Sequence, residues 1–114
     1  MLPRNARLTS PEEFARATKS GLRLAGSSLV VYLYQSQTLE PARCGLIVSK
    51  SVGGSVVRHK IARLIRHALR DHLSQLPEGA LLVVRALPTA TTSEIRDELT
   101  KTLGKLIVKN LAKK

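Results

Sequence analysis

A chain of 114 residues amounts to a single domain, spanning residues 1–114, with room for one modest core. At 43% hydrophobic, 24% charged and 3% aromatic it is not a disordered composition, and the core must be built from Leu, Val, Ile and Ala. The 19 Lys and Arg against 8 Asp and Glu give a net charge of +11, which favours a polyanion as partner and says nothing about fold. Cys44 is alone, so a disulfide framework and a Cys-based metal site are both excluded and a reducing cytoplasm fits. The opening "MLPRNARLTSPEEF" has no apolar stretch of the signal-peptide kind. The longest nearly uncharged apolar run, "LVVYLYQ", is far short of the ~20 residues of a membrane helix.

The segment "TSPEEFARATKSG" predicts a short helix. Ser10 is placed to cap it, Pro11 to occupy its first position, Glu13 to complete a capping box and Gly21 to stop it. Phe14, Ala17 and Leu22 form its apolar edge. Residues 27–35, "SSLVVYLYQ", read as a strand with Leu29, Val31 and Leu33 on one face and Val30, Tyr32 and Tyr34 on the other. After the loop "SQTLEP", residues 42–50 read as a second strand with Gly45 in its middle, expected to form a hairpin with the first.

The turn "VGGS" then leads into a long helix from about Val56 to Leu76, ended by Pro77 and Gly79. Val57, Ile61, Leu64, Ile65, Ala68 and Leu69 fall on one helical face. "ALLVVRAL", 80–87, is a buried strand closed by Pro88. Residues 92–112 form the last helix, with a capping box at Thr91 and Glu94 and a stripe of Ile95, Leu99, Leu103, Leu106 and Ile107. The order helix, strand, strand, helix, strand, helix predicts an α+β (α/β) sandwich: a small mixed sheet of three to four strands with three helices packed on it.

The central helix carries the functional signal. At 100° per residue, the apolar residues spread from about −20° to 120°, whereas His59, Lys60, Arg63, Arg66, His67 and Arg70 fall between about 180° and 300°. Arg58 lies near the apolar edge, with a side chain long enough to reach solvent. An ordinary solvated helix face mixes signs, with acid and base at i,i+4; here the first acid is Asp71. Like charges at His59–Arg63 and Arg66–Arg70 each cost a few tenths of a kcal/mol in isolation, about what a favourable i,i+4 pair contributes. A strip of phosphates outside the chain offsets that cost. Arginine forks suit phosphate, and Gly53 and Gly54 before the helix expose backbone N–H groups beside its positive end.

Residues 45–72, "GLIVSKSVGGSVVRHKIARLIRHALRDH", resemble the protein subunit of bacterial ribonuclease P. Ser49-Lys50, Gly53, Val56-Val57, Arg58, Lys60, Arg63 and Leu64-Ile65-Arg66 fall in register with that family's strand, turn and basic helix. "RLTSPEEFARATKSGLRLAGSSLVVYLYQ" looks like its opening helix and first strands, and "ALLVVRALPTATTSEIRDELTKTL" like its closing strand and helix. His59 and Lys60 stand where the family usually has Asn and Arg, Ala62 where Lys is common, and Ala17 and Thr18 where bulkier side chains are frequent.

The resemblance implies a left-handed crossover around the central helix, as in the second domain of a small-subunit ribosomal protein, against the usual right-handed rule. It implies an accessory subunit of the ribonuclease P holoenzyme, which removes the 5′ leader of precursor tRNA and leaves a 5′-phosphate. The partners implied are ribonuclease P RNA and precursor tRNA, with no membrane and no DNA. Mg²⁺ is expected mainly on the RNA, which carries the catalysis, and none on the protein alone. Arg58, His59, Lys60, Arg63, Arg66, His67 and Arg70, with Gly53 and Gly54, are the expected contacts to the catalytic RNA. Phe14, Tyr32, Ser49 and Lys50 are the expected cleft for the single-stranded leader, with Tyr34 and Ile47 beside them. Arg4, Arg7, Arg16, Lys19 and Arg23 extend the positive field, and Lys105, Lys109, Lys113 and Lys114 form a solvated tail.

The residues themselves weigh against other functions. The acids Glu12, Glu13, Glu40, Asp71, Glu78, Glu94, Asp97 and Glu98 lie in predicted loops or near helix ends, not clustered as a self-sufficient two-metal nuclease needs. A DNA-binding regulator reading with residues 58–70 needs a short helix just upstream, where the sequence has a strand. A ribosomal or ribosome-associated protein shares size, charge and fold class, and differs in not assisting cleavage of precursor tRNA.

Overall fold

The computed structural model describes residues 8, 10–26, 28–35, 42–70, 72, 76, 78–88 and 95–112, the side chains of 110–112 excepted. In chain order these form α1 (Pro11–Ser20), β1 (Leu22–Ala25), β2 (Leu29–Gln35), β3 (Arg43–Ile47), a 3₁₀ turn (Lys50–Val52), α2 (Ser55–Arg70), β4 (Ala80–Ala86) and α3 (Ile95–Ala112). The sheet order is β1-β2-β4-β3, with β3 and β4 parallel and the other pairs antiparallel. The predicted α+β sandwich of three helices on a mixed sheet is what forms.

The expected hairpin between residues 27–35 and 42–50 does not form. β2 pairs with the short β1, Leu22 opposite Leu33 and Ala25 opposite Val30, and β3 crosses to the far side of β4. The physical reason is the helix that follows β3. A strand, helix and strand in succession give a parallel pair, and β3 and β4 are that pair, with α2 as the crossover.

Alternation along the strands divides the core in two. Leu29, Val31, Leu33, Cys44, Leu82 and Val84 pack with Ile61, Ile65, Leu69, Ile95, Leu99, Leu103 and Leu106 of α2 and α3. Val30, Tyr32, Leu81 and Val83 on the opposite face pack with Leu8 and Ala17, with Phe14, Tyr34, Ile47 and Leu87 at the margin. Burial in the major core pushes the Cys44 thiol up to about 12, so it behaves as a small apolar side chain.

Three local expectations are corrected. The capping box at α1 does not form: Ser10 makes no side-chain cap, and the Glu13 carboxylate is engaged by the Arg43 guanidinium instead of reaching back to the helix start. Val57 is 44% exposed rather than core, since the first turn of α2, Val56 included, stays open to solvent, and Ala62 is buried on the apolar face in its place. The helix stops at Arg70, not Leu76: His72 N–H turns back to Leu69 O at 2.9 Å, and Leu76 folds into the major core. The Thr91–Glu94 capping box, Pro77, Asp71, Arg4, Arg7, Lys113 and Lys114 lie outside the described residues.

Candidate nucleic-acid interface

α2 presents its predicted faces. Ile61, Ile65, Ala68 and Leu69 are buried, and His59, Lys60, Arg63, Arg66 and Arg70 are exposed, with His67 and Arg58 half-buried. Among the described residues, no carboxylate pairs with any of these cations; the ion pair that forms is Glu13–Arg43, on another face of the molecule. A strip of five exposed bases over about three turns therefore meets solvent without neutralisation. His59, Arg63, Arg66 and His67 line a shallow depression of about 480 Å³ along it.

His67 titrates below its ordinary 6.5, first because the folded chain strips water from the ring, then because neighbouring positive charges, including Arg70, Arg63 and Arg96, oppose a further one. Arg96 belongs to α3, so the positive field spans the seam between the two helices.

Arg58 does not simply snorkel outward. Its Nε is buried without a hydrogen-bond partner among the described residues, at a depression of about 280 Å³ lined also by Leu46, Val48, Ser55, His59, Ala62 and Arg66. A buried donor of that kind calls for an acceptor such as a phosphate oxygen. The turn before α2 is built differently from the expected anion nest. Gly53 N–H donates to Lys50 O at 3.2 Å and is thus already engaged. Gly53 has φ 154°, a conformation that favours glycine, and a Cβ there would press on Val57 Cβ at 3.1 Å. Gly54 O accepts Arg58 N–H at 2.9 Å and starts the helix.

The opposite side of the sheet holds the second set of residues. α1 lies over the row Tyr32, Val83 and Gly45, and Phe14 sits directly on Gly45: a Cβ at that position would come within 2.6 Å of Phe14 Cε1. Tyr32 is 8% exposed and serves mainly as floor, whereas Phe14, Tyr34 and Ile47 are half-buried at the margin. Ser49 and Lys50 are exposed at the end of β3, the Ser49 hydroxyl 2.7 Å from that of Ser51. The residues predicted for α2 thus gather on one ridge; of those predicted for a cleft, Phe14 and Tyr32 meet under α1 on the other face of the sheet, while Ser49 and Lys50 lie beyond the end of β3, where the 3₁₀ turn packs against α2.

Sequence reasoning missed three contributors. Arg43 Nη1 donates to Glu13 Oε1 at 2.8 Å, part of a two-pronged pair that ties α1 to β3. Arg96 adds charge beside α2. Arg85 is the exposed residue of an otherwise buried β4, a lone charge legible inside "ALLVVRAL". Among the described residues, no group of three His, Cys, Asp or Glu side chains gathers as a metal site would need. Two carboxylates are engaged elsewhere, Glu13 by Arg43 and Glu98 by Ser28 N–H at 2.9 Å.

An α+β sandwich with an unneutralised basic helix and a half-covered sheet face defines the surface of a polyanion-binding protein. The Ribonuclease P family model matches residues 2–109. The ribonuclease P protein component of Streptomyces griseus is 47% identical over 98 residues, covering 79% of this chain and 80% of that one. Its counterpart in Nocardioides is 38% identical over 111 residues, covering 96% and 94%. The ribonuclease P protein of Staphylococcus aureus superposes with a TM-score of 0.79 at 30% identity over 90% of this chain and 97% of that one. The Thermotoga maritima protein gives 0.69 at 23% identity, a likeness of fold. The chain belongs to the ribonuclease P protein family, the RNA-binding protein components of a ribonucleoprotein that processes tRNA.

Proposed function

We propose that this protein binds the catalytic RNA of ribonuclease P through the α2 ridge and the 5′ leader of precursor tRNA through the cleft beside α1, assisting endonucleolytic removal of the leader. The observation that carries this reading is the pairing of an unneutralised cationic ridge with a separate, half-covered apolar cleft on opposite faces of one sheet. Arg58, His59, Lys60, Arg63, Arg66, His67 and Arg70 hold the phosphate backbone of folded RNA, where forked guanidinium contacts fix position without reading sequence. The exposed edge of Phe14, with Tyr34 and Ile47 beside it and Tyr32 beneath, offers a surface on which unpaired bases stack, worth roughly 1–3 kcal/mol per base. Ser49 and Lys50 hold the leader backbone at the cleft's end.

Catalysis belongs to the RNA. The Mg²⁺ ions of the holoenzyme, bound mainly by RNA, supply the activation of water and the stabilisation of charge on the phosphodiester. The protein's part in this reading is to hold substrate and RNA in register and to relieve repulsion between their phosphates. The setting is the cytoplasm, and no helix among the described residues is long and apolar enough to cross a membrane.

The test adds purified protein to a bacterial ribonuclease P RNA at low Mg²⁺ and follows release of the 5′ leader. The protein is expected to restore cleavage of precursor tRNA, and Phe14→Ala to weaken binding of leader-bearing substrate while sparing mature tRNA. No stimulation, or equal losses on both RNAs, overturns the reading.

A further inference from the structure

The face of the sheet that carries α1 is built in rows. In register across the strands lie Arg43, Leu81 and Tyr34; then Gly45, Val83, Tyr32 and Arg23; then Ile47, Arg85, Val30 and Ala25. α1 covers the first two rows through Phe14 and Ala17. The third row is about 7 Å further along the strands, two residues at a strand's rise. There Arg85 and Ala25 are exposed and Ile47 is half-buried.

Arg85 is out of character with its strand. Every other residue of β4 is buried and apolar. It occupies a central strand, with Val30 opposite on one side and Ile47 on the other. Among the described residues its side chain has neither a carboxylate nor another hydrogen-bond partner. A guanidinium held above an apolar row, beside a half-covered aromatic cleft and across from Ile47, two residues before Ser49, presents both a fork for phosphate and a plane for a base.

We infer that Arg85 is a specificity-determining contact for single-stranded RNA: it grips the leader where the strand leaves the shelter of α1, continuing the cleft across the open row toward Lys50. The inference rests on the proposed leader cleft and names a residue in it that the basic helix does not supply. Arg85 acts on the leader alone, because α2 packs on the other face of the sheet.

The experiment measures affinity of the reconstituted holoenzyme for precursor tRNA with a leader and for the same tRNA without one, over a series of salt concentrations. Arg85→Ala is expected to weaken leader-bearing substrate about tenfold, the loss of one charge-assisted contact, and to lower the log–log salt slope by about 0.7, the value for a single strand. Leaderless tRNA and assembly with the catalytic RNA are expected to stay unchanged. Arg85→Lys should keep the slope and lose part of the affinity, which separates phosphate contact from the fork and plane. An unchanged melting temperature for Arg85→Ala confirms that the exposed side chain was not holding the sheet. Equal loss on both substrates, or no loss, overturns the inference. Phe14→Ala run alongside distinguishes the failures. If Phe14→Ala discriminates against the leader and Arg85→Ala does not, the cleft stands without Arg85; if neither discriminates, the cleft itself is wrong.

Discussion

Under α2 and α3 the sheet is closed: Leu29, Val31, Leu82 and Val84 are each 0% exposed, and the helices above contribute Ile65, Ile95, Leu99 and Leu106 at 0%. Across the same strands, one residue away in each, the face under α1 is only partly closed, with Phe14, Tyr34, Ile47 and Leu87 half-buried and Arg85 in the open. The first face has the packing of a core whose task is stability. The second leaves apolar and aromatic surface at a margin rimmed by cations, which is what a binding surface for unpaired bases requires. The contrast also separates the two proposed RNA contacts. The ridge of α2 points away from the closed face and the cleft lies on the open one, so under the proposed function the sheet would stand between folded RNA and leader.

The contrast breaks most visibly at Gly45. A side chain there drives into Phe14, so Gly45→Ala should lift Phe14 and loosen α1, lowering the unfolding free energy by about 1–3 kcal/mol, the usual cost of overpacking. Phe14→Ala placed on Gly45→Ala should recover much of that loss, because the clash is removed. Chemical denaturation of the two single variants and the double variant checks this; full additivity would mean that Phe14 does not rest on Gly45.

A smaller effect sharpens the account of the ridge. NMR titration should place His67 below 6.5, with water exclusion the first cause and the arginines next. Arg96→Ala should bring it back toward 6.5, and bound phosphates should raise it further. The sign for stability follows: a folded-state value held below the unfolded one favours the fold above the unfolded pKa, an advantage lost as pH falls through the folded value. RNA affinity should run the other way, rising as pH drops and the ring gains its charge. A His67 value at or above 6.5 in the free protein would contradict the crowded positive field.

How much could be read beforehand differs by level. The amphipathic α2 was legible because its apolar and basic residues alternate with a helical period over sixteen positions, from Ser55 to Arg70. The ridge was legible for the same reason, since what lies opposite a buried face must meet solvent. The partner of β2 was not. "LRLA" is four residues long and interrupted by Arg23, too short for alternation to declare a strand, and pairing is a tertiary choice. The signal that was there, a helix between β3 and β4, pointed to parallel pairing and away from a hairpin. The Glu13 half of the capping box was not legible either, because Arg43, distant in sequence, takes that carboxylate. The role of Gly45 was likewise invisible, since only the folded chain brings Phe14 above it.

The central claim is that the α2 ridge lies on RNA phosphates. The most direct measurement is the salt dependence of binding to the catalytic RNA for the native protein and for Arg63→Ala with Arg66→Ala. The log–log slope should fall by about 0.9 for each phosphate contact removed, close to 2 for the pair. A slope that stays the same in the double variant would take the ridge out of the interface and the account with it.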